Sequence, residues 1–168
     1  MPKIIENLKD RLLAEAKRQL KQGGYEELTI RSIAKGCGVG VGTVYNYFPS
    51  KEALIATYLL EDWQVRLDTV QTVADQADVP EQVIRCMYEQ LVEFARCHQA
   101  IFNAATAQTG FAGAFGQYHQ LLRTQIAGPL RRFCSSEFDA QFVAEGLLTW
   151  AMNGKAFDEI YRILKKLF

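Results

Sequence analysis

The stretch from Thr29 to Lys51 constrains the fold of this chain more than any other. It reads TIRSIAKGCGVGVGTVYNYFPSK and holds two short helical patterns on either side of a glycine-rich turn. In the first pattern, apolar residues recur at positions i, i+3, i+4 and i+7, which places them on one face of a helix. Glycine tolerates positive φ, so Gly38-Val39-Gly40 can turn the chain. Two short helices joined in this way form the helix-turn-helix plan.

Capping residues predict where these helices begin and end. The Thr29 hydroxyl can accept a hydrogen bond from a free amide in the opening turn of the first helix. Pro49 disfavours helical geometry in the residue before it, so the second helix is predicted over about residues 41–47. Ser50 can then cap a third helix that begins at Lys51.

The second helix of the motif carries many polar and aromatic groups, namely Thr43, Tyr45, Asn46 and Tyr47. A helix buried on all sides would not carry so many. Hydroxyl and amide groups bond both to phosphate oxygens and to base edges. The composition of this helix therefore predicts a surface that meets DNA.

The run from Gly24 to Leu54, GYEELTIRSIAKGCGVGVGTVYNYFPSKEAL, resembles the DNA-binding region of the TetR family of one-component repressors. The GY-x-x-x-T start, the A-x-x-x-GV turn, the GT-x-Y-x-YF recognition helix and the K-E-A-L start of the next helix all match in spacing. The chain departs from the family at Gly40, where a serine is frequent, and at Val41, where a lysine is frequent. Val41 removes a charge that can touch phosphate, and a contact to a thymine methyl becomes possible instead.

The resemblance implies a set of residues that contact DNA. Those implied near phosphates are Thr29, Ser32, Tyr45, Tyr47 and Lys51, and those implied to face bases are Gly42, Thr43 and Asn46; Val41 joins the candidate set through the thymine-methyl contact. Lys51 follows Ser50 at a helix start whose backbone amides also favour a phosphate. We therefore expect the second helix of the motif to contact DNA bases and the residues around it to contact the phosphate backbone.

The charge distribution supports a DNA-reading head on a separate body. The chain of 168 residues has a net charge of zero. Residues 1–51 hold nine Lys/Arg and five Asp/Glu, or +4, and residues 52–168 hold ten and fourteen, or −4. Such asymmetry between parts of a chain is typical of nucleic-acid-binding proteins. We predict a DNA-binding domain over residues 1–50 and a regulatory and dimerisation domain over residues 51–168.

Several classes of protein are disfavoured. The start of the chain has no signal-peptide pattern, and no run of about 18 apolar residues occurs, so we expect a cytoplasmic protein without a membrane span. The sequence contains no P-loop, no G-x-G-x-x-G motif, no nucleophile–base pair and no metal-ligand spacing, so we expect no enzyme activity, no metal and no cofactor.

The four cysteines are scattered along the chain, and we expect them to be reduced. A redox switch among Cys86, Cys97 and Cys134 is an alternative.

Helical periodicity continues to the end of the chain, and no segment shows sustained strand alternation, so an all-α fold is predicted. We expect a three-helix amino-terminal head and a helical body. The predicted segments are a helix over 4–22, a connector helix over 51–74, helices over 81–98 and 99–107, a loop over 109–113, a helix over 114–134 that Pro129 interrupts, and a last region over 136–167. Ser136 can cap that last region, and Asn153-Gly154 either splits it or is absorbed in it. The apolar side of the connector helix is expected to include Val65.

The body is rich in aromatic residues, and its last two helical regions are apolar on more than one face. A helix that is apolar all round must be buried, which a second copy of the chain would achieve. The resemblance implies a homodimer that packs residues of about 115–133 and 138–167 as a four-helix bundle. It also implies a pocket for a small-molecule inducer of unknown identity. Candidates for its walls are Trp63, Phe94, His98, Phe102, Phe111, Tyr118 and Trp150. The histidines themselves are expected at the surface or at helix ends.

Together these features predict a repressor that binds a palindromic operator as a homodimer and is released by a ligand. The half-sites of such an operator lie about 34–36 Å apart. An activator, or a regulator controlled by a protein partner, would share the head and lack the pocket. A non-specific architectural DNA-binding protein is a further alternative, marked by steep salt dependence and no preferred sequence.

Overall fold

The computed structural model describes residues 7–106 and 111–168, with side chains for residues 7–104 and 118–168. Every regular element in this part of the chain is helical, which confirms the all-α prediction. The elements are α1 (Leu8–Glu27), α2 (Ile30–Cys37), α3 (Val41–Tyr45), α4 (Lys51–Gln76), α5 (Pro80–Thr106), α6 (Phe111–Leu130), α7 (Glu137–Met152) and α8 (Phe157–Leu164), with 3₁₀ turns at Arg131–Phe133 and Lys165–Leu167.

The described residues divide into two compact units. The first unit extends to Glu61 and includes Ala100–Ala114, and the second comprises Asp62–Gln99 with Phe115–Phe168. The boundaries of these units fall inside helices. The domain boundary expected after residue 50 stays a prediction.

The first unit packs α1, α2, α3 and the start of α4 around one apolar core. Its buried side chains include Leu8, Leu12, Leu13, Ala16, Ile30, Ile33, Ala34, Val44, Phe48, Leu54 and Ile55. Their spacing of three and four residues along each helix is the pattern that predicted one apolar face. The core therefore holds the two short helices of the motif against α1 and the start of α4.

α1 runs further than predicted. It passes through Gly23 and kinks at Gly24, whose φ of 75° lies in the left-handed region, and it closes one more turn before Glu27. Glycine adopts this conformation without the steric penalty of a Cβ atom. Tyr25 and Leu28 are buried at this corner, as expected.

The second unit is built on α4, α5, α6, α7 and α8. Its buried side chains include Trp63, Val70, Val83, Met87, Leu91, Ile126, Leu130, Val143, Leu147 and Ile160. Across α5 and α8, the Tyr88 hydroxyl donates to the Lys155 carbonyl at 2.9 Å, and the Arg85 guanidinium lies 3.9 Å from the centre of the Phe157 ring. These contacts fix the short final helix on the body.

The structure corrects three helix boundaries in the middle of the chain. α5 is one helix to Thr106, without the predicted break after His98. Residues 99–106 contain neither glycine nor proline, so nothing in them favours an end of the helix. Phe111 begins α6 instead of lying in a loop, while Thr109 and Gly110 of that predicted loop lie outside the described residues. Pro129 ends α6 one residue later, at Leu130, before the predicted end at Cys134.

The last region is two helices, which decides the alternative that the sequence left open. Gly154 has a φ of 75° and donates its amide to the Ala151 carbonyl at 3.0 Å, and Lys155 donates to the Trp150 carbonyl at 3.0 Å. These are the hydrogen bonds of a left-handed helix end. At the start of α7, the Ser136 hydroxyl accepts from the Asp139 amide at 3.1 Å, as predicted.

Val65 was wrongly placed on the apolar side of α4. Its side chain is 68% exposed, and α4 buries Trp63 and Val70 instead. An apolar residue can stand alone on a surface without a packing role. Within the described ranges, none of the helices is long and apolar enough to cross a membrane.

Candidate nucleic-acid interface

Two hydroxyls hold the start of α2. The Ser32 amide donates to Thr29 Oγ1 at 3.0 Å and the Thr29 amide donates to Ser32 Oγ at 3.1 Å, a reciprocal capping box. Ser32 Oγ also donates to Gln19 Oε1 of α1 at 2.5 Å. The cap predicted for Thr29 is confirmed. The phosphate contacts of both residues stay predictions, and the Ser32 hydroxyl already has partners inside the head.

The turn after α2 is closed by the backbone. Gly38 has a φ of 67°, and its amide donates to the Lys35 carbonyl at 3.2 Å. The Val39 amide donates to the Ala34 carbonyl at 3.0 Å. Arg11 of α1 donates to the Cys37 carbonyl at 3.1 Å, which binds the end of α2 to its neighbour. The direction in which α3 leaves the turn is therefore determined by α1 and α2.

α3 is held by one side and exposed on the other. Among its five residues, all of them described, Val44 alone is buried. Tyr45 is 50% exposed and Tyr47, in the turn that follows, is 40% exposed. Gly42 and Asn46 are exposed as well, whereas Val41 and Thr43 are half-buried. The structure thus exposes four of the predicted DNA-binding residues on and just after α3, and it leaves two more half-buried beside them.

Two cations of α2 belong to the candidate surface and escaped the sequence analysis. Arg31 and Lys35 are both exposed. They fall between the positions of the apolar face of α2, so the same helical spacing that predicted the buried residues could have identified them. Exposed Lys and Arg side chains next to a recognition helix are suited to phosphate oxygens.

Lys51 does not lie on this outward surface. Its Nζ donates to the Tyr25 carbonyl at 2.6 Å and lies 3.8 Å from the centre of the Tyr25 ring. Burial lowers the pKa of this ammonium, against the opposing effect of Glu26 and Glu52. The phosphate contact expected of Lys51 stays a prediction, but the structure supplies the ammonium with partners inside the head.

Three of the predicted pocket residues pack together in the second unit. Trp63, Phe94 and His98 are buried, with ring centroids 5.5 Å apart for the first pair and 4.8 Å for the second. His98 is therefore not the surface or capping residue that the sequence suggested. Its Nε2 lies 2.9 Å from Asp62 Oδ2, and this carboxylate also accepts from Arg66 Nε at 3.1 Å.

The half-buried carboxylate of Asp62 is the centre of this network. Burial alone would raise its pKa, but the hydrogen bonds from His98 and Arg66 and the charge of Arg66 outweigh burial and lower it. Asp62 therefore carries a negative charge at neutral pH. Among residues 7–106 and 111–168, no group of three or more His, Cys, Asp or Glu is arranged to hold a metal ion.

The other predicted pocket residues are dispersed. Phe102 is half-buried in the first unit, and Tyr118 is half-buried in the second. The side chain of Phe111 lies outside the described residues. Trp150 is 50% exposed because α7 buries Val143, Leu147 and Ala151 on its other face. Their assignment to a pocket stays a prediction.

Comparison with known proteins identifies the helix-turn-helix. Residues 12–58 match the family model of bacterial regulatory proteins, tetR family. The HTH-type transcriptional repressor KstR of Mycolicibacterium smegmatis is 32% identical over 94 residues, which cover 55% of this chain and 46% of the relative. The HTH-type transcriptional regulator UidR of Escherichia coli is 36% identical over 52 residues, covering 31% of this chain and 26% of the relative. These matches span less than half of the length of either relative.

The fold is shared along nearly the whole chain. FadR of Thermus thermophilus, a TetR family transcriptional repressor whose crystal structure contains lauroyl-CoA, matches with a TM-score of 0.71 and 23% identity. The match covers 95% of this chain and 92% of FadR. The family match thus falls on the helix-turn-helix, and the likeness to FadR along the chain is one of fold. The helix-turn-helix of residues 12–58 is thus similar to that of bacterial regulatory proteins of the tetR family, and the fold is similar to that of FadR.

Proposed function

We propose that this protein is a transcriptional repressor that binds a palindromic DNA operator as a homodimer and is released by a small molecule. The observation that carries the proposal is the geometry of α3. This helix is anchored through Val44 and turns Tyr45, Asn46 and Tyr47 outward at the end of a tightly capped helix-turn-helix. Amide groups suit base edges, and phenolic hydroxyls suit phosphates.

The electrostatics of the head support the same conclusion. Arg31 and Lys35 present exposed cations on α2, the helix that leads through the turn into α3. Residues 1–51 as a whole carry a formal charge of +4. Cations at this position neutralise phosphates and release the counterions condensed on DNA, which supplies affinity independent of sequence.

Selection of bound fragments from the source genome tests the DNA-binding part of the proposal. The expected result is one enriched palindrome whose half-sites are separated by about one helical turn, ~34–36 Å. Binding that shows no preferred sequence and falls steeply with salt would instead identify a non-specific architectural protein. Genes next to the enriched sites would then indicate the physiological signal.

The proposed dimer would cover the outward face of α7. Phe138 and Phe142 are 73% and 52% exposed in the protomer, their ring centroids 6.2 Å apart, and Trp150 lies on the same side of the helix. Leu121 of α6 is also exposed. Large aromatic side chains at this density on one face are typical of a protein–protein interface. The last helical region expected in the dimer is two helices, so we assign the interface to α6 and α7.

The proposed effector site lies in the second unit, at the cluster of Trp63, Phe94 and His98. The indole Nε1 of Trp63 is buried and has no hydrogen-bond partner among the described residues. A buried donor of this kind is usually satisfied by a bound molecule or an ordered water. The proposed ligand is therefore largely apolar and carries a hydrogen-bond acceptor.

Lauroyl-CoA, the molecule bound by FadR of Thermus thermophilus, is a suitable first probe of this site. We expect an acyl-CoA to raise the melting temperature of the protein and to release the operator over the same range of concentration. Free coenzyme A is the matched control, because it lacks the apolar chain. If neither compound changes the melting temperature, acyl-CoA is excluded as the effector class while operator binding is unaffected.

A further inference from the structure

We propose that Lys51 is a positioning residue of the DNA-binding head, which caps the carboxyl end of α1 from the first turn of α4 and does not contact a DNA phosphate. The proposal rests on the DNA-binding function inferred above. It concerns how the head is held together, and it assigns to Lys51 a role opposite to the one that the family resemblance implies.

The contacts of the ammonium group carry the proposal. Lys51 Nζ donates to the Tyr25 carbonyl at 2.6 Å and lies 3.8 Å from the centre of the Tyr25 ring, a cation–π distance. Tyr25 is buried and Lys51 is half-buried. The charged end of the side chain therefore points back into the head, where one acceptor and one aromatic face receive it.

Helix dipoles explain why the side chain turns this way. Lys51 is the first residue of α4, where the positive end of the helix dipole disfavours a cation. Tyr25 lies in the last turn of α1, after the kink at Gly24. The last turn of α1 holds no basic side chain of its own. The Lys51 ammonium thus lies away from the start of α4, where a cation is unfavourable, and it stabilises the end of α1, which lacks a cation of its own.

The same arrangement occurs in the second unit, which has no part in the helix-turn-helix. The last turn of α4 also holds no basic side chain, and Arg132 donates to the Ala74 carbonyl at 2.8 Å and to the Ala77 carbonyl. At two helix ends of this fold, a cation from a distant part of the chain thus acts as a structural cap. This recurrence favours the structural role of Lys51.

The contact between Lys51 and Tyr25 joins the two ends of the segment that holds both helices of the motif. α2 and α3 lie between Tyr25 and Lys51 in the chain, so the cap joins the residue that precedes the motif to the residue that follows it. Val44 and Phe48 anchor α3 to the core from within that segment. Loss of the cap would let the start of α4 move relative to α1, and α3 would lose its alignment.

The salt dependence of DNA binding distinguishes the two roles of Lys51. Lys51→Met keeps the length of the side chain and removes its charge. We expect it to lower the ratio of operator to random-DNA affinity by about tenfold, the scale of one lost hydrogen bond from a charged donor. The slope of log Kobs against log salt is expected to equal that of the natural protein on both DNAs.

A phosphate contact predicts a different result. Affinity would fall equally on operator and random DNA, and the slope would become shallower by about 0.9, the value for one phosphate contact. Either that change of slope or an unchanged affinity ratio would overturn the proposal. Lys35→Met is the matched control, because it removes an exposed cation from the same head.

A second measurement uses the natural protein, so it tests the proposal even if Lys51→Met does not fold. NMR of ¹³C-labelled lysine in the natural chain follows the Lys51 side chain in the free state and on the operator. We expect a ring-current shift from Tyr25 in both states, and a pKa below the usual lysine value in both. Loss of the shift with a rise of the pKa on operator binding would show that the ammonium moves to a phosphate.

The two proposals can fail independently. If the natural chain binds no operator, the proposed function fails, and the ring-current shift in the free protein still tests the contact with Tyr25. If the operator is bound but the slope changes in Lys51→Met, the positioning role fails and the function stands.

Discussion

At the scale of single residues, hydroxyl side chains determine where the helices of the head begin. Thr29 and Ser32 form the capping box of α2, and Ser50 Oγ accepts from the Ala53 amide at 3.1 Å at the start of α4. These interactions span three residues, so they depend only on the local sequence. The exposure of the candidate DNA-binding side chains of α3 also depends on local sequence, because Val44 is the one residue of this helix that is buried.

Substitution of Asn46 and of Tyr47 separates base reading from backbone grip. Asn46→Ala is expected to relax specificity at one base position by about 1–3 kcal/mol, the discrimination of one bidentate contact. Tyr47→Ala is expected to weaken binding to all sequences alike. Competition binding against a set of operators with single base changes measures both. An unchanged preference in Asn46→Ala would remove that residue from the base-reading surface.

Removal of the Ser50 cap tests the start of α4. Ser50→Ala is expected to lower the free energy of unfolding by about 1 kcal/mol, because the Ala53 amide loses its acceptor. Urea denaturation followed by circular dichroism measures the change. Ser135→Ala, an exposed serine outside the helices, is the control and should leave the stability unchanged. Equal stability of both variants would show that the cap contributes nothing.

At the scale of the elements, α4 and α5 are joined by charges that the sequence does not bring together. Asp62 of α4 receives hydrogen bonds from His98 of α5 and from Arg66 of its own helix. The rings of Trp63, Phe94 and His98 pack against one another at the same place. Helical periodicity describes one helix at a time, so it could not predict that the histidine is buried beside a carboxylate 36 residues away in the chain.

Asp62→Asn is expected to destabilise the protein by about 2 kcal/mol at neutral pH, since charged hydrogen bonds are worth about 1.5–3 kcal/mol. The pKa of Asp62 is lowered by folding, so its charge stabilises the native state above the usual carboxyl pKa of about 3.9. This contribution is lost as the pH falls through the lower pKa of the folded state. The difference between variant and natural protein should therefore disappear in acid.

Denaturation of both proteins in urea at neutral pH and at the lowest pH at which the natural protein stays folded measures this convergence. Asp68→Asn, on the exposed side of the same helix, is the matched control. A difference of equal size at both pH values would mean that the carboxylate acts by its shape alone.

At the scale of the whole molecule, the protomer leaves a row of aromatic residues on α7 uncovered. Phe138, Phe142 and Trp150 are each at least half exposed, while the opposite face of the helix is buried. A single chain of 168 residues places its core on one side of this helix only. The proposed homodimer supplies the second side, and it also supplies the pair of recognition helices that a palindromic operator requires.

Phe142→Asp tests the dimer. We expect the dissociation constant of the dimer to rise by about 30-fold or more, the effect of losing an interface residue worth about 2 kcal/mol. Sedimentation equilibrium at micromolar concentration measures it. Val65→Asp places the same charge at another exposed apolar residue, outside the proposed interface, and should leave the association unchanged. A natural protein that sediments as a monomer would contradict the dimer itself.

The sequence by itself determined the helix-turn-helix, the helical class of the fold and the capped helix starts, because these depend on interactions within a few residues along the chain. Thr29, Ser50 and Ser136 were all identified correctly on that basis. The break at Gly154 was left open, since glycine permits a left-handed conformation without requiring it.

The intramolecular partners of Lys51 and His98, and the exposure of Trp150 and Val65, became visible in the tertiary structure alone. Each depends on a partner, or on the lack of one, contributed by another helix: the Tyr25 carbonyl for Lys51 and the Asp62 carboxylate for His98. A helical pattern states which residues share a face, but not which face the rest of the molecule covers. The Thr29–Lys51 stretch was therefore recognisable from its residues alone, whereas the contact that closes it became visible only when α1 and α4 met in the fold.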